Sequence, residues 1–172
     1  MLSLYDVSVP LFIRGLENLD RILDKGAAFF AEKGRAEGEL SGSRLIEDMH
    51  PLTAQIQRAS DTAKGVVTRI GGGDNVAMPD EEQTIADLKA RIAKTIAVLK
   101  GADRAAFDDK EDAKVEIVTP NRTLVFTGKD YVLGFCIPNF FFHVTTAYAL
   151  LRKEGVPVGK MDYLGAVETK PN

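Results

Sequence analysis

Cysteine is nearly absent: Cys136 stands alone in a chain of 172 residues. No disulfide can form within the chain, and no cysteine zinc site can be assembled. A lone thiol suits a reducing cytoplasm, which is where we expect the protein to reside. Histidine is almost as scarce, with only His50 and His143, so imidazole chemistry is restricted to two positions. There is no basic stripe with interleaved aromatics, and the formal net charge is -3 with a pI of about 5.5. That balance argues against nucleic acid, whose partners gather Lys and Arg on one face. Long apolar runs are missing too. Lys, Asp or Asn interrupts each of them short of about 18 residues, so no membrane span is expected. The first twenty residues, "MLSLYDVSVPLFIRGLENLD", carry Asp6 early and have no basic leader before an apolar stretch, unlike a secretory signal.

What is present has the make-up of one globular domain, residues 1–172, with 45% hydrophobic and 27% charged residues. Apolar side chains recur at helical spacing from Leu4 to Leu23, at Val7, Leu11, Leu16, Leu19, Ile22 and Leu23. Asp6 or Ser3 can cap that start, and Ala27, Phe29 and Phe30 extend the stripe. Gly34, Gly38 and Gly42 then mark a loop. A second helix is expected over Ser43–Ile70, with Pro51 either bending it or separating "LIEDMH" as a turn. "GGGDN", at 71–75, lacks the Lys-Ser/Thr of a phosphate loop and reads as a helix stop. A third helix follows Pro79, with Asp80, Glu81 and Glu82 in its first turn. "VEIVT" and "TLVFTG" flank "PNR" as a small hairpin. The last helix is expected from Lys129 to Glu154, and "GVPVGKMDYLG" as an extended surface tail. The sum is an all-α four-helix bundle with a β-hairpin between helices three and four.

Bundles build their sites from side chains facing inward on neighbouring helices. His143 follows three phenylalanines, Phe140, Phe141 and Phe142, and shares a face with Phe140 and Ala147. A core histidine with one hydrogen bond is the plain reading for it and for His50. One turn before His143 stands Asn139, where a second histidine would complete a pair able to bind one metal. We expect the His143 imidazole to point into an interior cavity, with His50, Asp61, Gln55 or water partnering its N–H. Asp61 can orient a histidine, and Tyr5, Asp6 and Tyr148 can reach the same cavity. Cys136, in apolar company before Pro138, reads as an inert buried thiol.

Three blocks, "SLYDVSVPLFIRGLENL", "DMHPLTAQIQRASDTAKG" and "PNFFFHVTTAYALLRKEGVPVGKMDYLG", resemble an uncharacterised bacterial family within the DinB/YfiT-like four-helix bundles. The superfamily's last helix carries a motif close to H-x-x-H-H-R-G-Q followed by L-R-x-x-G. Aligned on Leu151, Arg152 and Gly155, His143 matches its last metal-binding histidine and Asn139 its partner one turn earlier. The resemblance implies a divalent metal such as Zn²⁺ or Ni²⁺ on three histidines, the first of them on helix two. His50 is the candidate there by type, with Gln55 or Gln57 as alternatives by register. Because Asn139 replaces a histidine, no tightly bound cofactor is expected. The resemblance leaves two readings open. One is a bundle with an incomplete metal site (His50, His143, Asn139) and a small-molecule or interaction role. The other is a metal-dependent thiol S-transferase using His50 and His143. It also implies a homodimer, for which helices one and four have apolar residues to spare, such as Phe12, Phe29 and Phe135.

Overall fold

Ser3 opens the first helix by accepting a hydrogen bond from the Asp6 backbone N–H, while the Asp6 carboxylate accepts from the Ser3 N–H. This reciprocal cap satisfies two of the orphan donors at a helix start. It sets α1 (Leu4–Glu32) in a computed structural model that describes residues 3–119 and 121–166. Asp6 is also clamped by the Arg104 guanidinium, at 3.0 and 2.7 Å, which holds its carboxyl at a pKa of about 2. The remaining helices are α2 (Glu37–Ser41), α3 (Leu52–Arg69), α4 (Ile85–Lys100), α5 (Ile137–Lys153) and α6 (Lys160–Leu164). Two strands, β1 (Lys114–Val118) and β2 (Thr123–Thr127), pair antiparallel with Val115 opposite Phe126. They form the expected hairpin between the last two long helices; Pro120, which the sequence reading put in the turn, lies outside the described residues.

Four long helices make the bundle. α3 packs against both α4 and α5, and α1 packs against the same two, so α1 and α3 sit diagonally. The core between them holds Phe12, Leu16, Leu19, Leu23, Ile56, Ala63, Val66, Leu88, Ile92, Phe140, Ala147 and Leu151, all buried. Phe12 and Phe140 meet at 4.7 Å between ring centroids. Gly15 makes room for them, because a Cβ there would stand 2.6 Å from the Phe140 ring. Phe12 is therefore a core residue and not available to a partner. Phe135 is likewise engaged, against Phe126 and Tyr131 at 5.6 and 6.1 Å. The large apolar side chains that do face outward include Ile46, Val118, Phe142 and Met161.

Several boundaries differ from the sequence expectation, each for a physical reason. Helix two starts at Leu52 and not at Ser43: Pro51 is its N-cap, and residues 43–50 form turns. A proline ring would clash with the carbonyl one turn back inside a helix but suits its start. The glycine-marked loop contains α2, whose Glu37 carboxylate accepts from the Ile85 N–H at the α4 start. Helix three starts at Ile85 and not after Pro79, because Thr84 and Asp87 form a second reciprocal cap. Asp80 and Glu82 instead pair with Arg91, at 3.0 and 2.9 Å. The tail is not purely a surface segment: Val156 and Val158 are buried and α6 docks on α1.

The last long helix changes its winding. Asp130–Cys136 is π-helical and runs without a break into α5. Pro138 explains this: it brings no N–H, and its ring crowds the carbonyl one turn earlier, which a wider turn relieves. Counted together, Asp130–Lys153 is long and apolar enough to cross a membrane, contrary to the expectation from interrupted runs. Its apolar face is occupied within the bundle, where Val132, Phe140, Val144, Ala147, Leu150 and Leu151 are buried.

Candidate functional site

α3 and α5 run alongside one another, and polar side chains bridge them at two levels. At the first, His143 on α5 meets Gln55 on α3, with Nδ1 and Oε1 2.7 Å apart. The Gln55 amide nitrogen donates to the His50 backbone carbonyl at 2.9 Å. Its Oε1 therefore accepts, so His143 carries its proton on Nδ1 and leaves a lone pair on Nε2. At the second level, the Asn139 amide donates to Thr62 Oγ1 at 2.7 Å, and Thr62 in turn donates to the Arg58 carbonyl. Gln55, Arg58 and Thr62 lie at intervals of three and four and so share one face of α3.

His50 sits just before the Pro51 cap, exposed, and its Nε2 accepts from the Arg58 guanidinium at 2.9 Å. The two histidines thus attach to one stretch of α3, His143 to Gln55 and His50 to Arg58, beside the α3–α5 seam. His143 is 8% exposed, with the Phe142 ring edge-on at 5.2 Å. Burial, then the Arg58 charge, then His50 push its pKa down to about 4.

A depressed histidine pKa has a definite sign in folding. Below about 6.5 the unfolded chain takes up a proton that the folded chain refuses, so stability falls until about pH 4 and then levels. The two values imply a loss of about 3 kcal/mol across that window. We expect urea unfolding at pH 7 and 4.5 to show this loss in the parent. His143→Gln, which keeps a donor for Gln55, should show much less of it. Equal pH slopes in both proteins would remove His143 as the source.

The other sequence candidates lie elsewhere. Asp61 does not orient a histidine; it pairs with Arg91 at 2.9 Å and Lys64 at 3.0 Å, on the α4 side of α3. Tyr5 packs edge-on against Phe107 at 5.4 Å, and Tyr148 against Tyr163 at 5.7 Å. Gln57 bonds Glu82 at 2.8 Å, so Gln55 is the glutamine that occupies the α3 position facing His143. Cys136 is buried, its thiol pushed up to about 12 mainly by burial. It does not act as a nucleophile in this state. Arg58 and Thr62 escaped the sequence reading. Helical spacing from Gln55 was the signal that would have found them.

The matching family model is "Domain of unknown function (DUF1993)", over residues 4–164. The chain belongs to that family. A solved structure described as a DinB family member protein from Shewanella denitrificans is 40% identical, with a TM-score of 0.89. The match covers 98% of this chain and 96% of that one. No curated protein matches. The DUF1993 chain is thus a DinB-like bundle, as its three blocks implied.

The three-imidazole metal set of the wider superfamily does not fit the residues here. Gln55 and Asn139 offer amides in place of imidazoles, and the His50 lone pair is taken by a guanidinium. A fixed positive charge beside both histidines opposes a divalent cation. Among the described residues, no three His, Cys, Asp or Glu side chains are grouped closely enough to hold a metal ion.

Proposed function

We propose that this DUF1993 protein is a small-molecule-binding DinB-like bundle whose metal position is incomplete and whose α3–α5 seam binds its ligand without a metal. The observation that carries the reading is the Arg58 guanidinium on His50 Nε2. His50 Nε2, Gln55 and Asn139 are each committed to a partner within the chain, and for His50 that partner is a cation. His143 supports the reading from the other side: it is buried, neutral at pH 7, and keeps one nitrogen open. Such a nitrogen accepts a hydrogen bond from a ligand but is a feeble base, because its conjugate acid is so strong.

The test is the metal content of protein purified without a histidine tag, by plasma mass spectrometry. We expect Zn²⁺ and Ni²⁺ far below one equivalent, with no change in His143→Ala. Stoichiometric metal, lost on His143→Ala, would overturn the reading and establish the metal-dependent thiol transferase in its place.

A further inference from the structure

Towards its C-terminal end, α3 and the connection that follows it frame a cavity of about 330 Å³. Lys64, Gly65, Thr68 and Arg69 line it from the helix, and Asn75 and Met78 from the connection. Gly65 leaves the helix surface bare, so that the Arg69 side chain can fold back along α3. A Cβ at position 65 would collide with Arg69 Nη1 and stand 3.1 Å from the Tyr131 hydroxyl. Nη1 donates to that hydroxyl at 3.1 Å, and Tyr131 is itself buried. The guanidinium is thus anchored through one nitrogen, although the residue as a whole is exposed. Arg69 forms no ion pair among the described residues, and its Nε and Nη2 have no partner there. Those two N–H groups point the same way along one edge of the guanidinium, the edge that meets both oxygens of a carboxylate.

We propose that this cavity binds a small monocarboxylate, with its two oxygens on the Nε and Nη2 edge of Arg69. The charges of the lining set the class. Lys64 and Asp61, which also lines the cavity, are paired with each other at 3.0 Å. Arg69 is the cation of the lining left uncompensated among the described residues, and one such cation calls for one negative charge. A dianion such as sulfate would bring a second charge towards the Asp61 carboxylate. Further donors stand on the same lining. Lys64 Nζ bonds Asp61 and the Val76 carbonyl, at 3.0 and 3.2 Å, and keeps its third hydrogen. The Asn75 amide has no partner among the described residues. Met78 offers a short carbon chain its apolar contact. The site is separate from the α3–α5 seam at His143 and does not rest on the reading given to that seam.

The test titrates isotope-labelled full-length protein with propionate and, separately, with sulfate, at mildly acidic pH and fixed ionic strength. It follows the arginine Nε–H cross-peaks by NMR. The Arg69 peak is identified as the one missing from Arg69→Gln, an exposed change. Propionate should shift that peak saturably, while an unanchored exposed arginine such as Arg122 moves little. Sulfate should bind about threefold more weakly or worse. Gly65→Ala suits a helix well, yet its methyl pushes the guanidinium off the Tyr131 anchor. It should weaken propionate by about tenfold or more, with the backbone spectrum of the bundle otherwise retained. Tyr131→Phe keeps the ring, removes the hydroxyl and should weaken propionate as well. The inference fails if the Arg69 peak moves without saturation and in step with Arg122, or if Gly65→Ala and Tyr131→Phe bind propionate as the parent does. Tighter binding of sulfate than of propionate would overturn the carboxylate class.

Discussion

Gln55→His, Asn139→His and Arg58→Ala together are expected to turn the α3–α5 seam at His143 into a zinc site. Asn139 lies one turn before His143, and the Gln55 side chain already touches the His143 ring at 2.7 Å. Imidazoles at 55 and 139 would therefore stand beside the existing one, giving three nitrogen ligands and an open fourth position. Removing Arg58 takes away the competing charge. Zinc affinity should rise by roughly a thousandfold or more over the parent, as expected for adding two direct ligands when even supporting residues account for about 10–100-fold. Competition titration against a chelating dye measures it. Gln55→His and Asn139→His with Arg58 retained should fall well short of the triple variant. A triple variant that binds no better than the parent would mean that α3 and α5 do not bring these three positions together.

The second large effect concerns stability and lies on the far side of α3. Arg91 projects from α4 with its side chain 1% exposed, bonded to Asp61 at 2.9 Å, Asp80 at 3.0 Å and Glu82 at 2.9 Å. It also donates to the Pro79 carbonyl at 3.1 Å, while its Nε has no partner. One guanidinium thus fastens the extended 71–84 connection to both helices that it joins. Arg91→Ala leaves Glu82, itself little exposed, without its counter-charge. Breaking a buried pair from one side costs about 3–5 kcal/mol, which for a domain of this size lowers Tm by roughly 10 °C. Calorimetry of Arg91→Met with Glu82→Gln should recover part of that loss, since no uncompensated charge then remains. If Arg91→Ala melts within a degree of the parent, the clasp contributes nothing net.

These two sites show where sequence was enough and where it stopped. Spacing of three and four placed Phe140, His143, Ala147, Leu150 and Leu151 on one buried face, and they are there. The β-rich runs around "PNR" were read as a hairpin and form one. Such features depend on periodicity and local chemistry, both visible in one dimension. The start of α4 was not legible, because Asp80 and Glu82 are good first-turn residues whose carboxylates are drawn instead to a guanidinium on the next helix. Asp61 looked able to serve a histidine for the same reason: its true partner comes from another element. Arg58 was passed over because an arginine on a half-exposed helix face is ordinary until His50 is seen to sit on it.

The π-helical stretch has a bearing on how this helix can be compared with others. Tyr131 and Cys136 are five residues apart and both buried; from Cys136 onward the buried positions fall at intervals of four and three, at Phe140, His143 and Ala147. The beat of the helix changes where the π-helical turns end, at Cys136, two residues before Pro138. A wheel drawn at constant pitch through Asp130–Lys153 would rotate the hairpin end out of step with the histidine end. Alignments that shift a single residue across this stretch therefore exchange the identities of whole faces, and only those anchored downstream of Pro138 keep Asn139 and His143 in phase with α3.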